Sequence, residues 1–201
     1  MQAVSRLEPY PRHGRRWFRT CLLSLIALAA CATPENWPVG APSLAPYVAT
    51  PPAVVTQMLD LARVGPDDVV YDLGCGDGRI VIEAARRGAR AVGVELNPAL
   101  VQQARDNVRR SRLSDRVEIR EQDALSVDLS EATVVTVYLS RESNEKLRPR
   151  LVQLRPGARI VSHEFDMGDW APTEMLRVWD DSSGFHTLYL WEISASRPRA
   201  Q

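Results

Sequence analysis

The stretch from Val69 to Ile80 constrains the fold of this chain more than any other segment. It reads Val-Val-Tyr-Asp-Leu-Gly-Cys-Gly-Asp-Gly-Arg-Ile: a short apolar run that meets an acidic residue, three alternate glycines and the start of an amphipathic stretch. This pattern predicts a buried strand, a tight glycine turn and the first turn of a helix. Backbone N–H groups at such a turn, together with the positive end of the helix dipole, bind the polar groups of nucleotide-like ligands.

Apolar strands and amphipathic helices alternate from residue 47 to residue 193. The first helix is expected to open with Thr50 as N-cap and Pro51 in the first turn, and to stop at Gly65-Pro66. Further helices are expected at 79–87, after Asn97-Pro98 and at 144–154, where Pro149 predicts a kink or a late start, and strands at 69–71, 91–94, 116–120, 132–138, 158–162, 175–179 and 185–193.

This order of segments predicts an α/β protein with an open, mostly parallel sheet of seven strands and helices on both faces. The last two strands are joined by the five residues 180–184. A parallel pair needs a crossover of a dozen or more residues, so this pair must be antiparallel. We therefore expect a reversed terminal strand.

The N-terminus resembles a bacterial export signal. Arginines precede an apolar run from Cys21 to Ala30, which is shorter than the roughly 20 residues that span a bilayer. Its ending, Leu28 to Cys31, resembles a lipobox, and Arg15-Arg16 resembles a twin-arginine motif. We expect a lipoprotein-type signal peptide over residues 1–30, a membrane tether on lipidated Cys31 and a domain that faces the periplasm. The alternatives are an uncleaved anchor, or a wrongly assigned start with the protein in the cytoplasm.

The rest of the chain divides by composition into a linker, a domain and a tail. Prolines at positions 34, 38, 42 and 46, with few apolar residues between them, predict an extended linker over residues 31–46. The alternating segments predict one folded domain over residues 47–195, followed by a disordered tail over 196–201.

Charge and cysteine content argue against several classes of function. Without the first 30 residues the chain has 20 basic and 24 acidic residues, a mildly acidic balance that argues against a nucleic-acid partner. Cys75 has no cysteine partner in the predicted domain and is expected to be a small packing residue. His13, His163 and His186 are scattered, without metal-ligand spacing, so we expect no metal.

The glycine spacing and three acidic residues indicate which nucleotide-like ligand fits. A dinucleotide fingerprint is G-x-G-x-x-G, whereas the run that begins at Gly74 is G-x-G-x-G. Asp72 would be poorly placed beside a pyrophosphate but suits a positive amine, such as that of S-adenosylmethionine. Glu95 follows the second strand and is placed to accept hydrogen bonds from ribose hydroxyls. Asp123 follows the third strand and is expected to face the adenine amino group.

Residues 47–193 resemble the class I S-adenosylmethionine-dependent methyltransferases. Within them, the chain is similar to the lineage of the ATP synthase c-subunit and adenine nucleotide translocase lysine methyltransferases. The resemblance is carried by Tyr47-Val-Ala-Thr-Pro51, Asp72-Leu-Gly-Cys-Gly-Asp-Gly-Arg-Ile-Val81, Gly93-Val-Glu-Leu-Asn-Pro98, Val137-Tyr-Leu-Ser140 and Val161-Ser-His-Glu-Phe165. It implies a Rossmann-like fold, S-adenosylmethionine as cofactor and lysine N-methylation of a protein substrate. The cofactor-binding residues that it implies are Tyr47, Thr50, Asp72, Gly74, Gly76, Gly78, Glu95, Asn97, Asp123 and Ala124.

The ends of the fourth and fifth strands should border the acceptor pocket, because ligands bind at the carboxyl ends of such strands. There Tyr138 would orient a lysine amine, and Glu164 or His163 would accept or relay its proton. The structural alternatives are a Tyr138 packed on the core and a His163 satisfied in a loop, and Trp170 is expected to pack a loop.

Two absences bear on the acceptor. The Asn/Asp-Pro-Pro-Tyr signature of enzymes that methylate nucleobase or glutamine amide nitrogens is not present at Tyr138-Leu-Ser140. The predicted domain also has no inserted substrate-binding region, which favours an exposed protein segment over an enclosed metabolite. A small-molecule methyltransferase and an exported, non-catalytic binding domain are the alternative functions.

Overall fold

The computed structural model describes residues 47–194, which form four helices and seven strands. In chain order these are α1 (Pro52–Leu61), β1 (Val69–Leu73), α2 (Arg79–Arg86), β2 (Arg90–Glu95), α3 (Pro98–Arg110), β3 (Val117–Glu121), β4 (Val134–Val137), α4 (Arg141–Leu151), β5 (Arg159–His163), β6 (Glu174–Asp180) and β7 (Gly184–Glu192). The predicted signal peptide, linker and tail lie outside the described residues.

All seven strands form one sheet in the order β3–β2–β1–β4–β5–β7–β6. Strands β1 to β5 pair in parallel, and β7 runs antiparallel to both of its neighbours, β5 and β6. The predicted mostly parallel sheet with a reversed terminal strand is confirmed. The reversed strand is the last in the chain but lies inside the sheet, because β6 occupies the edge.

Alternate residues of the buried strands face two separate apolar layers. On β1, Val70 contributes to the layer that packs against α1, α2 and α3, whereas Tyr71 and Leu73 face the layer that includes Leu147 and Leu151 of α4. Strand β4 is buried on both faces, as its Val-Val-Thr-Val sequence requires. Helices therefore cover both faces of the sheet, as predicted.

The start of α1 differs from the prediction. The helix begins at Pro52 with Pro51 as N-cap, and it ends at Leu61, before Gly65. Thr50 does not cap it, because its buried hydroxyl forms a hydrogen bond with His163 Nδ1 at 3.3 Å instead. A residue that reads as a helix cap is thus used to join the N-terminal segment to β5.

The start of α4 was also predicted wrongly. The helix begins at Arg141, three residues before the predicted start, and Pro149 lies inside it. Ser140 is the N-cap and accepts a hydrogen bond from the Ser143 backbone N–H at 3.2 Å. This cap determines where the chain turns away from the end of β4.

The predictions for Cys75 and Trp170 agree with the structure. Cys75 is a free, buried thiol, and burial, reinforced by the Asp72 and Glu95 carboxylates, raises its pKa. Trp170 packs beside Trp191, whose Nε1–H donates to the Trp170 carbonyl oxygen at 2.8 Å. Among the helices of residues 47–194, none is long and apolar enough to cross a membrane.

Candidate active site

A pocket of about 270 Å³ opens at the carboxyl ends of β1, β2, β3 and β4. Strands β1 and β4 are neighbours at the centre of the sheet although β2 and β3 lie between them in sequence, and such a switch point is where open α/β sheets bind ligands. Residues singled out from the sequence that line the pocket are Tyr47, Thr50, Asp72, Gly74, Glu95, Asn97, Asp123, Ala124 and Tyr138. The segment before α1 and four strand ends therefore meet at one cavity.

The three glycines of the turn after β1 differ in what lies against them. Gly74 lines the pocket. At Gly76, where φ is +54°, an added Cβ would lie 2.3 Å from Tyr47 Cε2, so glycine leaves room for the Tyr47 ring. Gly78 is the N-cap of α2, and an added Cβ there would lie 3.2 Å from Ala104 Cβ on α3. Gly76 and Gly78 therefore face protein atoms and do not line the pocket. All three glycines are among the cofactor-binding residues predicted from the sequence.

Asp72 is a buried carboxylate at the carboxyl end of β1. Only 2% of the residue is exposed, and its Oδ1 accepts a hydrogen bond from Thr136 Oγ1 at 2.7 Å. Burial raises the pKa of Asp72 to about 7; the Thr136 hydrogen bond opposes this shift, and the Glu95 and Asp77 carboxylates add to it. A buried carboxylate held by a hydroxyl donor, beside two further carboxylates, favours a ligand group with a positive charge.

Glu95 is held by three backbone N–H groups at the end of β2. Its Oε2 accepts from Gly76 at 3.0 Å, and its Oε1 accepts from Leu96 and Asn97, both at 2.9 Å. An ionised carboxylate has about four lone-pair sites, so these bonds fix its orientation and leave acceptor capacity for a ligand.

Asn97 and Asp123 each accept a hydrogen bond from a backbone N–H group two residues further along the chain. Asn97 is the N-cap of α3, as predicted, and its Oδ1 accepts from the Ala99 N–H at 2.9 Å. Asp123 Oδ1 accepts from the Leu125 N–H at 2.8 Å. These bonds are structural, and the cofactor contacts of both residues stay predictions.

The sequence reasoning missed an ion pair that holds one wall of the pocket. Arg79 donates to both oxygens of Asp77, from Nε at 3.0 Å and Nη2 at 2.7 Å, and from Nη1 to the Thr50 carbonyl oxygen at 2.7 Å. Burial alone would raise the pKa of Asp77, but the bonds from Arg79 outweigh it and leave the pKa below its usual value. The Asp-x-Arg pattern at the start of α2 is the signal that could have revealed this pair.

A second polar group lies beside the pocket, behind Tyr138. The His163 ring centroid is 3.9 Å from that of Tyr138, and His163 Nε2 is 2.9 Å from His186 Nδ1. Glu164 Oε1 is 3.0 Å from His186 Nδ1 and 3.6 Å from His163 Nε2. His163 is fully buried at the end of β5, so the alternative of a loop histidine is wrong, and burial and the neighbouring His186 lower its pKa to about 4.

His186 was missed as a member of this group, although the sequence carries a signal for it. It alternates with Leu188 and Leu190 on β7, so it occupies an inward position that an apolar residue would usually fill. None of the three members of this group lines the pocket, but His163 contacts two residues that do: its ring packs against Tyr138, and its Nδ1 bonds to the Thr50 hydroxyl.

Glu164 has a strained backbone. Its φ is +65°, and the Phe165 N–H donates to the His163 carbonyl oxygen at 2.9 Å, two residues back. A γ-turn with positive φ at the central residue is the rare, strained form. Asn144 Nδ2 holds the turn through the Phe165 carbonyl oxygen at 3.0 Å. Such strain is concentrated at functional sites.

These three side chains are also a group with the donor types of a metal site, which the sequence spacing did not suggest. Their nearest donor atoms lie within 4.8 Å of one another. The His163–His186 and His186–Glu164 separations of 2.9 and 3.0 Å are hydrogen-bond distances. Two nitrogens on one tetrahedral zinc, with bonds of about 2.0–2.1 Å, would lie further apart. The geometry therefore favours a hydrogen-bonded group, in which the side chains share a proton, over a zinc site.

Comparison with known proteins also indicates a methyltransferase. A curated "Protein-lysine N-methyltransferase" from Saccharolobus islandicus is 47% identical over 151 residues, which is 74% of this chain and 93% of the relative. A lysine N-methyltransferase of the ATP synthase c-subunit, from Xenopus laevis, is 31% identical over 177 residues, covering 87% and 75%. A crystal structure of an RNA methyltransferase from Salinibacter ruber, in complex with S-adenosyl-L-homocysteine, matches at a TM-score of 0.70 and 51% identity, covering 76% of this chain and 98% of that one.

The reversed β7 and the pocket where β1 meets β4 define a class I methyltransferase. The family described as the ANTKMT methyltransferase domain matches residues 72–174, and the chain belongs to it.

Proposed function

We propose that this protein uses S-adenosylmethionine to methylate the side-chain amine of lysine in a protein substrate. The observation that carries the proposal is the buried Asp72 carboxylate, which shares one pocket with the fixed carboxylate of Glu95. In support, two relatives bear the names of lysine N-methyltransferases, and the similar Salinibacter ruber structure contains S-adenosyl-L-homocysteine.

The pocket residues fit such a cofactor. Asp72 would hold the positive amine of the methionine part, because the Thr136 hydroxyl that donates to it is neutral and leaves its charge unpaired. Glu95 would accept the ribose hydroxyls with the lone pairs that the backbone leaves free, and Asp123 and Ala124 would border the adenine. S-adenosylmethionine supplies a methyl group already activated on a sulfonium sulfur. The protein then has to position the acceptor and set its protonation state.

On the acceptor side, the amine must lose a proton before it acts as a nucleophile. Burial and the nearby Glu164 carboxylate raise the pKa of Tyr138, so its hydroxyl stays neutral and can hydrogen-bond to the amine. We assign Glu164 the role of taking the proton, because its carboxylate is near enough to Tyr138 to help raise the pKa of that hydroxyl. A lysine amine inserted beside Tyr138 would also be desolvated, which lowers its pKa toward neutrality.

Charge supports a protein acceptor. Residues 47–194 carry 18 basic and 23 acidic residues, whereas nucleic-acid-binding domains are commonly basic. An acidic enzyme attracts a substrate segment in which lysine brings positive charge.

RNA is the second candidate acceptor. One observation favours it: a solved structure that is 51% identical bears the name of an RNA methyltransferase. Any basic RNA-binding surface would have to be local, because the overall charge of the described residues is negative.

Methyl transfer from radiolabelled S-adenosylmethionine separates the two acceptors. The full-length protein is incubated with cell extract, and the product is treated with protease or with ribonuclease. We expect label that protease removes, ribonuclease leaves and amino-acid analysis finds in methyl-lysine. Label in RNA alone would replace lysine by RNA as the acceptor, and no binding of S-adenosyl-L-homocysteine in calorimetry would contradict methyl transfer altogether.

The composition of the chain provides an unusually clean control for this assay. Lys146 is the only lysine among its 201 residues. The Lys146→Arg variant therefore cannot methylate itself on a lysine side chain, and any label that remains in methyl-lysine belongs to another protein.

We also propose that the protein is anchored in the cell envelope through lipidated Cys31 and faces the periplasm. The basic n-region, the short apolar run and the Leu28–Cys31 ending support this location. It places the domain away from the cytoplasm, where S-adenosylmethionine is made. A purely cytoplasmic protein is the alternative.

A further inference from the structure

A chain of polar groups leads from Glu164 across β7 to the protein surface. Glu164 Oε1 is 3.0 Å from His186 Nδ1, and His186 Nε2 is 2.7 Å from Ser183 Oγ. Ser183 is exposed in the turn between β6 and β7, and its hydroxyl also contacts Asp180 Oδ1 at 2.7 Å. We propose that this chain carries the proton of the acceptor amine to solvent, with His186 and Ser183 as positioning residues that act through Glu164.

The inference rests on the proposed function, because that reaction produces the proton. A lysine ammonium loses one proton to become an amine, and its nitrogen then forms a bond to the methyl carbon as the carbon–sulfur bond breaks. One proton is released for each methyl group gained. The Glu164 side chain is only 30% exposed before any substrate is present, and a substrate segment bound beside Tyr138 would reduce that exposure further. The route ends at Ser183, which is exposed and is not among the residues that line the pocket.

The imidazole of His186 suits this passage because its two nitrogens serve the two ends of the route. Nδ1 faces Glu164 and Nε2 faces the surface serine. A histidine takes a proton on one nitrogen and releases one from the other. The Ser183 hydroxyl has an acceptor on each side, His186 and Asp180, so it can turn toward either.

His163 contacts the same nitrogen of His186 that faces Glu164. Its Nε2 is 2.9 Å from His186 Nδ1, and its Nδ1 forms a hydrogen bond with the Thr50 hydroxyl at 3.3 Å. The three atoms His163 Nε2, His186 Nδ1 and Glu164 Oε1 are all acceptors unless one of them carries a hydrogen. At least one proton therefore lies among them, which makes this point a place where a proton is held.

The titratable groups near His186 come from the ends of β5 and β6. Glu164 and His163 face it from the end of β5, Asp180 lies beyond Ser183 at the end of β6, and Val178 is its apolar partner on that strand. Tyr138 packs on the far side of His163. Hydrogen bonds from Ser182 and Ser183 lower the pKa of Asp180, so the carboxylate at the surface end stays ionised.

The test compares pH–rate profiles of the full-length protein and its variants. His186→Gln should lower kcat roughly tenfold at pH 7, less than a full general-base contribution because water replaces part of the route. The loss should shrink near pH 9.5, where the acceptor amine loses its proton to solvent. The KM for S-adenosylmethionine should stay the same. Added imidazole should restore part of the activity of His186→Ala and none of that of Glu164→Gln.

Ser183 and Ser182 form a matched pair for this test. Both hydroxyls contact Asp180 Oδ1, but only Ser183 also contacts His186 among the hydrogen bonds of the described residues. Ser183→Ala should shift the pH profile in the same direction as His186→Gln, and Ser182→Ala should leave it as in the wild-type protein. This comparison holds even if the histidine variants fold poorly.

The possible outcomes separate this inference from the proposed function. A wild-type protein that transfers no methyl group overturns both. An active wild-type protein whose His186 and Ser183 variants lose activity equally at every pH, or not at all, overturns the relay alone. Zinc or nickel bound one-to-one in the wild-type protein and lost in His186→Gln would also overturn it. Histidine NMR adds a readout independent of turnover: the His186 ring signals should move in Glu164→Gln and Ser183→Ala, but not in Ser182→Ala.

Discussion

Arg79 Nη1 donates a 2.7 Å hydrogen bond to the carbonyl oxygen of Thr50, 29 positions earlier in the chain. The remaining nitrogens of the same guanidinium hold Asp77 in the glycine turn. The segment before α1 is thereby fastened to the turn after β1. Because Tyr47 and Thr50 both line the pocket, this one side chain fixes the wall on the N-terminal side of the candidate cofactor site.

Removal of that guanidinium should weaken cofactor binding. Hydrogen bonds to charged groups contribute about 1.5–3 kcal/mol, so Arg79→Ala should lower the affinity for S-adenosyl-L-homocysteine about tenfold or more. Calorimetric titration measures the affinity, and hydrogen exchange at residues 47–50 should show the segment loosened. Arg86→Ala on the exposed side of α2 is the control and should bind as the wild type does.

Glu95→Ala should cause a large loss of cofactor affinity, because it removes both the candidate ribose acceptor and the oxygen that holds the Gly76 N–H. Glu121→Ala is the matched control: Glu121 pairs with Glu95 in the β2–β3 register but is exposed. Titration of both variants with S-adenosyl-L-homocysteine provides the comparison. Equal affinity in the two would show that the ribose assignment is wrong.

Ligand binding and folding stability should depend on pH in opposite directions through Asp72. Its pKa is about 7 in the folded protein, well above the ordinary value of 3.8, so the unfolded chain releases this proton first. Stability from this group is complete below about pH 4 and is lost as the pH rises toward 7. Affinity for a cationic amine should instead rise over that upper range, as the carboxylate ionises.

Asp72→Asn tests both effects in one variant. It should be more stable than the wild type at pH 8 and should bind S-adenosyl-L-homocysteine more weakly, with little pH dependence between 6 and 8. Thermal unfolding and calorimetry across that range are the measurements. The exposed Asp67→Asn variant should show neither change, and a wild-type affinity that stays flat through pH 7 would contradict the role of Asp72.

Gly93 in β2 should be intolerant of a side chain because of Cys75. A Cβ at position 93 would lie 2.7 Å from Cys75 Sγ and 2.8 Å from Ile119 Cδ1, so Gly93→Ala should cost about 1–3 kcal/mol in urea unfolding. The cost should be smaller in a Cys75→Ala background, which a double-mutant cycle measures. Gly65→Ala, where an added Cβ meets no atom within 4 Å, is the control.

Cys31→Ser should move the protein out of the membrane fraction if the lipobox is used. Acylation contributes roughly 0.8 kcal/mol per buried CH₂, so its loss should release the domain. Cell fractionation with metabolic lipid labelling measures this. Cys21→Ser, earlier in the same leader, is the control and should stay at the membrane and keep its label.

The sequence carries enough information for most of the fold. Strands rich in Val, Ile and Leu alternate with amphipathic helices, and the five-residue connection before the last strand excludes a parallel arrangement. Secondary-structure propensity could not predict which hydrogen bonds Thr50 and Ser140 form. Thr50 reads as a helix cap but bonds to His163 in a distant strand, whereas Ser140, which reads as a loop residue, caps α4 through a local bond from the Ser143 N–H.

The part of the candidate site that depends on residues at strand ends could be predicted from the sequence. The part that depends on contacts between distant segments could not. Asp72 and Glu95 lie at the carboxyl ends of β1 and β2, so the sequence places them at the same edge of the sheet. His163 and His186 are 23 residues apart, and only the antiparallel pairing of β5 and β7 brings them to 2.9 Å. The bond between Arg79 and Thr50 is equally invisible, because its acceptor is a backbone carbonyl.

The candidate cofactor residues and the acceptor-side residues come from different parts of the chain. The candidate cofactor residues lie between Tyr47 and Ala124, whereas most of the acceptor-side group lies between Tyr138 and His186. Thr50 links the two parts through His163. A single genetic crossover near residue 130 would therefore replace the acceptor half and leave the donor half intact. Such an exchange would change what is modified and leave the means of supplying the methyl group unchanged.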